Sequence, residues 1–124
     1  MTLPHPSPEQ ISLHTVLAAL GDETRLAVVR CLARYAAPDG LTCGQFAGLT
    51  SKTNLTYHMA KLREAGVVTV RLEGTRRFIS LRRGDLDTRF PGLLDSIAAS
   101  SVDLPLPDAF LKDAEPGSSS SRAS

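Results

Sequence analysis

Five side chains in one short run, Lys52, Thr53, Asn54, Thr56 and Tyr57, place a cation, two hydroxyls, an amide and a phenol within two helical turns. An amide can pair with adenine. A threonine can hydrogen-bond a base or touch the thymine methyl, and an ammonium can meet guanine or phosphate. His58, Lys61 and Arg63 follow, where backbone phosphates are nearer than base edges. His58 also suits a role in supporting the helix. A second cluster flanks Glu73-Gly74-Thr75, with Arg71 before it and Arg76 and Arg77 after it. Guanidinium groups beside a tight turn suit phosphates or a neighbouring minor groove. Three arginines at one turn exceed what covering a core requires. From residue 51 to 83 the chain carries eight basic residues against Glu64 and Glu73, a net +6. The whole chain is at +1, so the remainder stands at −5. A basic segment on an acidic body is the footprint of a module that meets a polyanion, although a solvated surface also produces charge runs.

Those side chains need elements to hold them. Ser51 is placed to cap a helix over 52–65, where Leu55, Met59 and Leu62 recur at helical spacing and Gly66 supplies the stop. A shorter helix over 43–49 precedes it, with Thr42 as cap and Thr50-Ser51 as punctuation. The two make a helix-turn-helix unit, whose second helix fits the major groove of B-DNA. The β-branched run 67–72 and the run 76–81 form a hairpin around the Gly-containing turn. Upstream, Ser7 and Pro8 open a helix that closes at Gly21. Asp22 caps another, which runs to about Tyr35 before the Pro38-Asp39-Gly40 turn. Downstream, 85–100 is helical, with Pro91 as a break or fresh start. The fold class expected is mainly α with a β-hairpin, a winged helix-turn-helix of about five helices plus a two-stranded wing. Residues 1–7 read as a flexible arm, 8–102 as the DNA-binding and dimerisation domain, and 103–124 as a flexible tail with a brief helical turn near Ala109-Phe110-Leu111.

Composition narrows the function classes. At 124 residues, 42% hydrophobic and without tryptophan, the chain can bury one modest aliphatic core, and pairing would add buried area. It has no apolar run of about 18 residues and no charged-then-apolar leader, so neither a membrane partner nor secretion is expected. Two cysteines cannot staple a scaffold, and the reading is cytoplasmic. Nucleophile-elbow, phosphate-loop and metallohydrolase spacings are all missing, which argues against an enzyme.

The run Leu17-Ala18-Ala19-Leu20-Gly21-Asp22-Glu23-Thr24-Arg25-Leu26 resembles the opening of the ArsR/SmtB family of bacterial repressors. Residues 51–68, with His58 and the Leu62-Arg63-Glu64-Ala65-Gly66 run, are similar to that family's recognition helix. Glu73-Gly74-Thr75-Arg76-Arg77-Phe78 is similar to its wing. The resemblance spans about 12–100. It implies a homodimer paired through first and last helices, which binds a double-stranded DNA operator as a repressor and is released by an inducer. Two departures, a short turn over 47–51 and Tyr57 at a place where a small or a basic residue is common, alter the docking surface. Two-fold symmetry would make the operator an inverted repeat with half-sites one or two helical turns apart.

Sensing chemistry is thinner. Family metal sites use a Cys-x-Cys pair or Asp and His pairs on the last helix. Here Cys43 stands alone, and Asp85, Asp87 and Asp95 have no histidine beside them. Soft-metal capture needs converging thiolates or imidazoles. His5 and His14 with Glu9, or Cys43, are the residual metal candidates, and a transition-metal effector is the only cofactor considered. Cys31 and Cys43 are redox candidates, set against the simpler reading of two small buried thiols. Another small molecule, or no ligand at all, is a further alternative. The rival reading from another class is a winged-helix protein-interaction module that does not read DNA.

Overall fold

The computed structural model describes residues 3–35, 40–100 and 104–110. Ser12 opens the first helix, α1 (Leu13–Leu20), by accepting the Thr15 N–H on its hydroxyl at 3.3 Å. Asp22 opens α2 (Glu23–Tyr35) in the same way, its carboxylate accepting the Arg25 N–H at 3.0 Å. Each cap satisfies an amide that a helix start leaves without a partner. Strand β1 (Leu41–Thr42) leads into a single 3-10 turn, Cys43–Phe46, and then into α3 (Lys52–Ala65). The hairpin β2 (Val68–Glu73) and β3 (Arg76–Leu81) follows, then α4 (Arg83–Arg89) and α5 (Leu93–Ser100). The arrangement is a winged helix-turn-helix: five helices and a small antiparallel sheet among the described residues.

The sheet runs β1-β3-β2, with Val70 opposite Ile79 and Glu73 opposite Arg76 in the hairpin. Its third strand is an addition to the expected two. Leu41 pairs with Ile79 and Thr42 with Phe78, so the chain entering the helix-turn-helix is hydrogen-bonded to the wing. Alternation along β2 buries Val68 and Val70 and turns Thr69 and Arg71 outward. One continuous core collects Val16, Val28, Phe46, Leu62, Ile79 and Leu94, so all the major elements share it. Helix α3 ends at Gly66, whose φ of +86° only glycine adopts without cost. The Val67 N–H then reaches back to the Leu62 carbonyl at 2.9 Å. An added Cβ at Gly66 would lie 2.5 Å from Ile11 Cγ1, so α3 stops where Ile11 must pass.

Several expectations change. The helix from Ser7 is only a 3-10 turn, Pro8–Gln10, before the chain breaks at buried Ile11 and restarts at Ser12. The third helix shortens from 43–49 to Cys43–Phe46. The last helix, by contrast, breaks at Pro91-Gly92 as the proline led one to expect, and Gly92 has φ +87°. Residues 104–110, within the expected tail, fold back on the body. Phe110 is buried and stacks on Tyr35 at 4.5 Å, and the Asp108 N–H donates to the Ala47 carbonyl at 3.0 Å. Pro38 and Asp39 of the expected turn, and the serine run at 118–121, lie outside the described residues.

The N-terminal segment, expected as a free arm, is a strap over residues 3–7. Arg63 Nη1 donates to the Pro4 carbonyl at 2.6 Å and Arg82 Nη1 to the Pro6 carbonyl at 2.7 Å. Between them His5 Nε2 accepts the Val70 N–H at 3.0 Å, so the free edge of β2 gives a backbone donor to the strap. Only a neutral ring can accept there. Partial burial holds the His5 pKa below the ordinary imidazole value, and the Arg63 and Arg82 charges push the same way. Because the folded pKa is depressed, this contribution to stability is complete above the unfolded value. It is lost as pH falls through the folded one. His5→Gln keeps an acceptor that does not titrate in this range. Its thermal midpoint is therefore expected to gain on the wild type as pH falls from 7.5 to 5, and equal acid sensitivity of the two proteins would contradict the latch.

Candidate nucleic-acid interface

The start of α3 and the tip of the wing stand on either side of one open cleft of about 560 Å³. Lys52 and Thr56 line it from the helix, Thr75, Arg76 and Arg77 from the hairpin. The helix presents this end because Ser51 accepts the Asn54 N–H at 3.2 Å, while Leu55, Met59 and Leu62 anchor the opposite face in the core. Lys52, Thr53, Asn54, Thr56, Tyr57 and Lys61 are all exposed. The Thr56 hydroxyl donates to the Lys52 carbonyl at 3.1 Å, so its proton is committed to the helix and its methyl is the group left to offer. Tyr57 is 56% exposed and carries the Lys61 ammonium over its ring at 5.5 Å.

The eight basic residues divide into two groups. Arg63 and Arg82 hold the strap, and Arg82 also pairs with Asp85 at 2.9 Å. Arg83 lies 3.8 Å from Asp95 and 4.0 Å from Asp87. Arg63 is therefore turned to a carbonyl, where a phosphate contact was expected. By contrast, no carboxylate pairs with Lys52, Lys61, Arg76 or Arg77 among the described residues. Arg71 stands between the groups: it bonds Glu73 at 3.0 Å and lies 4.9 Å over the Phe78 ring. Three of those four, Lys52, Arg76 and Arg77, line the cleft, and charges without a carboxylate beside them are available to a polyanion.

His58 is only partly exposed. Its Nδ1 lies 2.9 Å from Arg25 Nη1, whose Nε donates to the Ala19 carbonyl at 2.5 Å. With Arg25 as donor, Nδ1 is the acceptor and the ring proton sits on Nε2. His58 thus braces α3 against the junction of α1 and α2. Arg25, whose part the residue pattern alone did not reveal, is the other half of the brace. The signal for it lay in the Asp22-to-Leu26 run that carries the family resemblance.

The metal candidates do not gather, and both cysteines are free thiols. His5 Nε2 is occupied by Val70 and His14 is exposed on α1. Among the described residues no three His, Cys, Asp or Glu side chains gather closely enough to hold a metal ion. Burial pushes the Cys31 thiol up to about 11 and raises that of Cys43, which keeps both protonated and slow to oxidise. No helix among the described residues is long and apolar enough to cross a membrane.

Comparison with known proteins agrees with this geometry. Residues 20–71 match the model of a family described as a helix-turn-helix domain, a span running from the end of α1 into β2. The chain is similar to a protein of Bacillus subtilis (strain 168) named as an uncharacterized HTH-type transcriptional regulator, YceK. The two are 36% identical over 84 residues, covering 66% of this chain and 82% of that protein.

Proposed function

Since the chain belongs to the helix-turn-helix transcriptional regulators, we propose that it is a repressor of the ArsR/SmtB type that binds an inverted-repeat operator as a homodimer. In this reading α3 enters the major groove and the wing lies over the adjacent backbone or minor groove. The observation that carries it is the cleft where Lys52, Arg76 and Arg77 converge with no carboxylate paired to them among the described residues. Asn54 reads a base, Thr53 offers a hydroxyl or methyl contact and Thr56 its methyl, and Tyr57, Lys61 and Arg71 extend the footprint. His58 acts by holding the helix. Pairing through α1 is supported by Leu13 and Leu17, one turn apart and 46% and 49% exposed. Apolar side chains at that spacing form a stripe that a second copy would cover. Release by an effector completes the cycle.

Fluorescence anisotropy with the chain's own upstream DNA tests this, with stoichiometry and salt dependence recorded. Two chains per duplex and a steep salt slope are expected. Salt-insensitive binding without sequence preference would favour the interaction module. Asn54→Ala is expected to relax preference at one position in each half-site by about 1–3 kcal/mol, with little change in the salt slope. A uniform loss over all sequences would instead make Asn54 a backbone contact.

A further inference from the structure

A second cavity, about 230 Å³, lies between α3 and the sheet. Its walls are apolar: Met59 from α3, Val70 and Ile79 from the sheet, and Leu3 from the strap. Two cations line it as well, Arg63 and Arg77, and none of the described lining residues is acidic. A cation would meet two like charges there. A neutral apolar molecule would cover Arg77 and the Arg63 N–H groups not bonded to Pro4 without offering them an acceptor. A molecule with an apolar body and one anionic end satisfies both parts, since a carboxylate takes guanidinium N–H groups in pairs. The volume is below that of a drug-sized site, which holds the occupant to a small molecule. We propose that this cavity binds a small apolar monocarboxylate, with its tail among Leu3, Met59 and Val70 and its head on Arg63 and Arg77.

The site is wired to the DNA-facing cleft. Thr56, Cys43 and Arg77 line both spaces, so they are neighbours with a common wall. A carboxylate on Arg77 takes a wing cation away from phosphate. A carboxylate on Arg63 competes with the Pro4 carbonyl and so loosens the strap whose Leu3 lines the cavity. The ligand and DNA therefore oppose each other through Arg77, and linkage makes the effect mutual. This regulatory consequence rests on the operator-binding reading above, whereas occupancy of the cavity does not.

The test is calorimetry on the free full-length protein with hexanoate, compared with hexylamine and inorganic phosphate. Hexanoate is expected to bind once per chain and at least tenfold more tightly than either. Ala60→Leu, at a cavity-lining position of α3, fills the space, and Arg63→Gln removes one head contact. Each should weaken hexanoate at least tenfold, and a thermal melt confirms that each variant is folded. Binding no tighter than hexylamine or phosphate, or binding that survives both substitutions, overturns the site. Operator affinity should then fall at least tenfold in saturating hexanoate for the wild type and stay unchanged for Ala60→Leu. Hexanoate bound without effect on operator affinity overturns the coupling. Hexanoate bound by a protein that takes no operator upholds the site while the DNA reading fails.

Discussion

Replacing Arg76 and Arg77 together by alanine is expected to weaken binding to all DNA sequences alike and to flatten its salt dependence. Each lost phosphate contact removes about 0.9 from the slope of log affinity against log salt, so two remove about 1.8. Between 50 and 200 mM salt, that difference is roughly a tenfold share of the wild-type loss of affinity. The fold should be indifferent, because both side chains are exposed and no carboxylate pairs with either among the described residues. The matched control is Arg82→Ala. It removes one cation of the same kind, but one already bonded to Asp85 and Pro6, so its effect should fall on stability and leave the slope nearly as it was, without even the roughly 0.9 that one lost phosphate contact would take. Equal slopes for the double variant and the wild type, from anisotropy titrations at several salt concentrations, would take the wing off the DNA.

The second large effect is on stability. Phe46 is wholly buried and forms the end of the 3-10 turn that precedes α3. Phe46→Ala removes a full aromatic side chain and leaves a cavity among residues drawn from several elements, at a cost of about 3–5 kcal/mol. Against a total stability of about 5–15 kcal/mol this is a large fraction. A midpoint drop on the order of 10–20 °C should follow for a domain of this size. Phe46→Leu keeps most of the volume and should recover most of the loss. Circular dichroism melts decide it: an alanine variant within a few degrees of wild type would mean that the turn closes over the gap.

Much of this architecture can be read from residue types, for identifiable reasons. Helix α3 runs from Lys52 to Ala65 as its cap and stop demand, because Ser51 and Gly66 act locally. The hairpin is equally local, two β-branched runs around a glycine. What pattern alone misses is set by distant partners. Strand β1 is two residues long, too short for any periodicity, and exists because Ile79 and Phe78 lie beside it. Arg63 and Arg82 look like free cations until the chain 59 and 76 residues earlier brings carbonyls to them. Phe110 sits among prolines and reads as tail, yet Tyr35 offers it a flat partner. The break at Ile11 follows from Gly66, which leaves room for that one side chain. For the candidate interface, composition identifies the cluster, but it cannot separate the cations that hold the strap from those around the cleft.

The short β1 pairing has a mechanical meaning. A wing carried only on its own hairpin could swing to suit whatever duplex it met. Here Leu41 and Thr42 stitch the wing's inner strand to the chain that enters the helix-turn-helix, and a common core lies behind both. In the docking proposed above, the spacing between helix tip and wing tip is therefore a gauge of fixed width, and the compliant partner is the DNA. Duplexes whose grooves already match that width, or deform to it at little cost, are favoured even at base pairs that no side chain touches.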